Sequence, residues 1–87
     1  MSGSTAQEFP SEFPIKVMGR QGSELRALTQ AIIERHAGPI DERQVKTRTS
    51  ADGNFLALTY TVLASSREQL DNIYRELTAC KSVLMAL

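Results

Sequence analysis

His36 and Cys80, the only histidine and cysteine in the sequence, are the side chains best suited to nucleophilic or acid–base chemistry. A covalent mechanism needs a nucleophile within reach of a base, and a third group to orient that base. His36 stands in the last turn of a helical pattern, on its apolar stripe, where a helix C-terminus stabilises a partly buried imidazole. Cys80 ends the apolar side of a second helical pattern, where a cysteine packs as a small apolar residue. No spacing ties the two into a triad, so no catalytic residue is assigned and no enzyme is expected. Metal binding needs clustered ligands. Asp41, Glu42 and Asp52 are loop acids at no recognised spacing, so neither a metal nor another cofactor is expected.

The stretch "MGRQGSE" offers a different chemistry. A glycine-bounded loop between strand and helix presents backbone N–H groups at the positive end of the helix, and these hold anions. Gly19, Arg20, Gly22 and Ser23 form the candidate ligand site, for a small anionic or amino-acid-like molecule. An ordinary strand-to-helix turn is the competing explanation. The stretch has neither a G-x-G-x-x-G pattern nor a P-loop lysine. G-R-Q-G matches the short G-x-x-G of KH domains, but it follows a strand instead of lying between helices.

These residues are positioned by alternating short elements. Residues 1–10 are small, polar and aperiodic and read as a mobile arm. Phe9 and Phe13 serve to anchor its end, and residues 11–87 are expected to form a single domain. "FPIKVMG" alternates, with Phe13, Ile15 and Val17 on one side; Pro14 suits a strand start or edge. Ser23 is placed to cap a helix over "SELRALTQAIIERHAG", whose stripe is Leu25, Leu28, Ile32 and His36 flanked by Ile33; Gly38 and Pro39 end it. "RQVKTRTSA" reads as a charged edge strand and Asp52-Gly53-Asn54 as a hairpin turn. "SADGNFLALTYTVLASS" contains the longest strand. Ser65 with Glu68, or Ser66 with Gln69, offers a capping box for a second helix, with Leu70, Ile73, Tyr74, Leu77 and Cys80 on one face. Asp71 and Arg75 are spaced as an ion pair on its wet side. "SVLMAL" closes the chain as a fourth strand.

The order β-α-β-β-α-β with right-handed crossovers gives an α+β, ferredoxin-like sandwich: a four-stranded antiparallel sheet with two helices on one face. Strands one and three are central. Leu56, Leu58, Tyr60 and Val62 then face the helices, and Phe55, Ala57, Thr59 and Thr61 lie on an open face that no element covers. Small or apolar residues on an open face mark it as an interface, for a protein partner or a second copy. Met85 in the uncharged last strand offers a second route, by edge pairing.

At 87 residues the core is small, and self-association is a reasonable expectation. Ten basic and ten acidic residues cancel, so nothing draws nucleic acid or an anionic membrane over long range. An RNA-recognition sheet needs stacked aromatics. Phe55 and Tyr60, five apart, point to opposite faces, which leaves Phe55 alone beside a mildly basic set of Lys16, Lys46 and Arg48. RNA binding is therefore the weakest reading. A single cysteine, no apolar leader and no apolar run near the ~20 residues of a membrane span point to the cytoplasm.

The pieces K-V-M-G (residues 16–19), Arg35-His36-Ala37, G-N-F (53–55), I-Y-R-E-L (73–77) and the closing V-L-M-A-L resemble the YbeD-like family of small bacterial proteins of unknown function. The resemblance runs from about Phe9 to Leu87. It implies the same ferredoxin-like fold and a likeness to ACT domains, regulatory modules that bind amino acids at the first strand–helix loop. It also implies a lipoate-related context, from gene neighbourhood. The matching loop positions are residues 19–23; Gly19 and Arg20 stand where ACT domains usually carry an acid. The expectation is a non-enzymatic regulatory or binding module that senses a metabolite or docks on a metabolic enzyme. The alternative is a protein-interaction adapter without a small ligand.

Overall fold

The computed structural model describes residues 9–22 and 24–87. The expected mobile arm, apart from Phe9 and Pro10, and the expected cap Ser23 lie outside the described residues. Among these residues the chain forms strands β1 (Ser11–Arg20), β2 (Val45–Thr49), β3 (Phe55–Ala64) and β4 (Met85–Ala86). Helices α1 (Leu25–Ala37) and α2 (Arg67–Ala79) follow β1 and β3, and a 3-10 turn at Glu42–Gln44 leads into β2. The sheet is antiparallel, in the order β2-β3-β1-β4, and the fold is ferredoxin-like. No helix among the described residues is long and apolar enough to cross a membrane.

Alternation along the two long central strands builds the core. Ile15 and Val17 of β1 and Leu58, Tyr60, Val62 and Ala64 of β3 are buried against Leu25, Ile32 and Ile33 of α1 and Leu70, Ile73 and Leu77 of α2. Phe9 and Phe13 pack against the same core. Pro14 sits inside β1, where it pairs with Thr61 of β3. Among the described residues the strand has no neighbour on its other side there, because β4 pairs only at Val17 and Met18, with Leu87 bonded to Lys16. The missing donor therefore breaks no second ladder.

Three sequence expectations are corrected. The buried stripe of α1 runs through Thr29 instead of Leu28, which is 40% exposed. Tyr60 forces the exchange. Its buried hydroxyl needs a partner and finds Thr29 Oγ1 at 2.8 Å, while Thr29 donates to the Leu25 carbonyl at 2.7 Å. Burial raises the Tyr60 pKa. The closing strand is two residues long, not six, because the turn after α2 occupies residues 80–84. Arg75 bonds to Asn72 at 2.8 Å and makes no ion pair with Asp71. Of the two caps expected for α2, the Ser66–Gln69 pair forms: Ser66 accepts from the Gln69 N–H at 3.0 Å, and the Gln69 side chain accepts from the Ser65 N–H at 2.7 Å.

Candidate functional site

Register places the open-face residues in rows across the sheet. Lys16 of β1 and Lys46 of β2 both pair with Thr59 of β3, so two ammonium groups flank one threonine. In the next row Arg48 and Met18 flank Ala57, and Met85 of β4 continues it beyond Met18. In the third row Phe55 pairs with Arg20, whose guanidinium carbon lies 5.7 Å from the ring centre. Small side chains on β3 form a floor and longer ones on β1 and β2 form walls. Two adjoining depressions of about 210 and 340 Å³ follow this trough and share Lys16, Arg48 and Ala57.

The charge on this face is one-sided. Among the described residues four of the ten basic side chains point out of it, against one carboxylate, Glu12, at the far end opposite Leu63. Among the described residues no carboxylate pairs with Lys16, Lys46 or Arg48. Two acids of the helix side, Glu42 and Glu76, are engaged locally. Glu42 accepts from Arg26, and Glu76 from Arg35 and from His36 Nε2 at 2.5 Å. Hydrogen bonds from His36 and Arg35 hold the Glu76 carboxyl below its ordinary value, and Arg26 does the same for Glu42.

The expected ligand loop divides. Gly19 is buried, and a Cβ there would meet the Ser82 carbonyl oxygen at 2.4 Å and Leu25 Cδ1 at 2.8 Å, so its smallness serves packing. Gly22 has φ +83 and open space around it, which suits a turn. Glu24, also at positive φ, stands at the helix start with no side-chain cap. The Gln21 N–H bonds to the Asn54 carbonyl at 2.9 Å, which ties this loop to the β2–β3 turn and sets it at the Phe55 end of the trough. Arg20 belongs to the open face.

The expected interface residues Phe55, Ala57, Thr59 and Thr61 share the open face, half-buried; Met85 joins them from β4, 49% exposed. Met18 was not singled out from its residue type, and only the register with Met85 and Ala57 reveals it. His36 and Cys80 are not brought together as a reactive pair. Gln69 donates to the His36 carbonyl at 2.7 Å, Glu76 takes the ring nitrogen, and Cys80 packs against the core. Among the described residues no group of three His, Cys, Asp or Glu side chains is placed to hold a metal ion. A separate cleft of about 290 Å³, lined by Phe9, Phe13, Leu70 and Tyr74, carries Arg67 and Asp71 on a neutral rim.

A family profile described as "Protein of unknown function (DUF493)" matches residues 4–87. The chain belongs to this family. It is 44% identical over 80 residues to a UPF0250 protein of Paraburkholderia phytofirmans, covering 92% of this chain and 90% of that one. A UPF0250 protein of Bordetella pertussis is 51% identical over 71 residues, 80% of this chain and 77% of the relative. The YbeD-like resemblance is consistent with this membership. Among solved structures, protein HP0495 from H. pylori superposes with TM-score 0.70 at 15% identity, covering 100% of this chain and 94% of that one. The C-terminal domain of the MgtC protein from Mycobacterium tuberculosis gives 0.62 at 16% identity, with 93% and 88% covered. At these identities the likeness speaks for the fold alone.

Proposed function

We propose that the chain is a non-enzymatic binding module that docks on a partner protein through the open face of its sheet. One observation carries this reading: a floor of Thr59 and Ala57 lies between walls bearing Lys16, Lys46 and Arg48, and no described carboxylate answers those charges. Like charges gathered on one face of a neutral chain repel one another. An anionic partner relieves that repulsion. A role in regulation or as an adapter, without turnover, follows from such a surface. A small anionic metabolite is a second reading, supported by the position of Arg20 beside Gly22 at one end of the same trough.

A photo-crosslinking side chain introduced at Thr61 on the open face, and separately at the exposed Ala31 of α1, tests the proposal in cells. Adducts from Thr61 alone, with a partner that then binds the wild-type chain when both are purified, are expected. Equal adducts from Ala31, or none from Thr61, would sink it.

A further inference from the structure

Resting on that reading, we propose that the trough takes an extended acidic segment of the partner, with carboxylates at alternate positions and an apolar residue toward Phe55. Geometry selects the extended form. Lys46 and Arg48 are two residues apart on β2, hence about 6.6 Å apart along one side of the strand. An extended peptide repeats its own same-side residues at that spacing, so carboxylates at i and i+2 meet the two cations in turn. Lys16 closes on the first from the opposite wall. The walls stand two strands apart, roughly 9–10 Å, which admits one extended chain but not a helix about 10–12 Å across. At the other end, Met18, Met85 and Phe55 give an apolar seat next to the charged row.

Charge and aromatic content argue for a polypeptide over a nucleic acid. Single-stranded nucleic acid is held by successive aromatic platforms along a basic groove. Here one aromatic, Phe55, lies on the face, so there is no succession of platforms. Eight of the nine described carboxylates lie off this face on a chain of zero net charge, which disfavours a long phosphate backbone. A second copy of this chain fits poorly as well. Glu42 and Glu76 are held by arginines of their own chain, and its helices are too wide for the trough.

The test uses fluorescein-labelled peptides in which glutamate alternates with serine around a central leucine, with a glutamine counterpart and a thymidine oligonucleotide as competitors. Anisotropy should show the acidic peptide binding at least about tenfold tighter than its glutamine counterpart, and weakening as salt rises. Amide shifts should map to residues 16, 18, 46, 48 and 57. Lys46→Glu with Arg48→Glu should reduce affinity about tenfold or more. Both residues are exposed on an edge strand, outside the core. Lys16→Gln, with an intact circular dichroism melt, provides a second variant should the first disturb β2. Equal binding of the glutamine peptide, tighter binding of the oligonucleotide, shifts confined to other residues, or no binding would each overturn the inference. So would dimerisation in light scattering with the same amides shifting and no peptide present. Crosslinks from Thr61 that persist while the acidic peptide fails would refute the occupant and leave the docking face standing.

Discussion

Arg20 and Phe55 pair across β1 and β3, with the guanidinium carbon 5.7 Å from the centre of the ring. The contact joins the residue before the first strand–helix loop to the first residue of the third strand. Two features that stand apart in the sequence, a glycine-bounded loop and an uncovered face, thereby become one surface. A cation over an aromatic face contributes about 0.5–1 kcal/mol at an exposed site. We expect Arg20→Gln to cost about that much in urea denaturation, and to cost markedly less in a Phe55→Leu background. Equal costs in the two backgrounds would show that the pair is not coupled.

Gly19 and Gly22 make opposite predictions. At Gly19 a methyl group would collide with the backbone carbonyl of Ser82, which cannot swing away as a side chain can. Gly19→Ala should cost about 2 kcal/mol or more, as overpacking does. At Gly22 the space is open and the cost is that of left-handed backbone, about 1 kcal/mol. Gly22→Ala should therefore fold with a modestly lowered urea midpoint. A tolerated Gly19→Ala would return that glycine to a purely conformational role.

The strand pattern was legible because alternation in "FLALTYTVLA" is a local property, and it places Leu58, Tyr60 and Val62 inside whatever the partners are. What escaped depends on distant contacts. Thr29 is buried because Tyr60, 31 residues away, needs a hydrogen bond; apolar periodicity instead favours Leu28. Gly19 reads locally as turn chemistry, but Ser82 and Leu25 determine its role. The open face was legible as uncovered. Its row of two lysines about Thr59 was not, since residue types do not reveal register between β2, β3 and β1.

The Tyr60–Thr29 contact gives a prediction about non-additivity. Thr29→Val leaves the buried Tyr60 hydroxyl with the Arg26 carbonyl at 3.3 Å, and should cost about 1–2 kcal/mol. Tyr60→Phe leaves Thr29 bonded to Leu25 and should cost about 1 kcal/mol. Combined, they should cost less than the sum, because the second change removes the hydroxyl that the first leaves with one long hydrogen bond. Chemical denaturation of the three variants decides; strict additivity would mean the two hydroxyls act separately.

Glu76 predicts a response to acid. Its partners His36 and Arg35 hold its folded-state pKa below the ordinary glutamate value of about 4.3. A lowered folded pKa means that stabilisation is complete above the unfolded value and is lost as pH falls through the folded one. The gap in urea midpoint between wild type and Glu76→Gln should close as pH falls below about 4. A gap that persists unchanged into strong acid would show that the carboxylate charge contributes nothing.

Thr59→Glu tests the charge arrangement of the open face within the fold itself. Lys16 and Lys46 both pair directly with Thr59, from opposite sides. They stand two strand spacings apart, roughly 10 Å, about one Debye length at 0.1 M salt. Screening at that range is incomplete, so the two ammonium groups repel. A glutamate between them would meet both across the strands, and opposite-charge cross-strand pairs contribute about 0.2–1 kcal/mol each. Glutamate is also a poorer strand former than threonine, which takes back part of this gain. The balance should leave the variant as stable as wild type or up to about 1 kcal/mol more so in low salt. The difference should shrink as sodium chloride is added, because screening weakens attraction and repulsion alike. The new carboxylate would also occupy the trough and should abolish binding of acidic peptide. Melting curves at low and high salt give the first reading, and peptide anisotropy the second. A variant that is less stable by the same amount at every salt concentration would mean that the lysines do not feel one another, and the electrostatic argument for the face would fail.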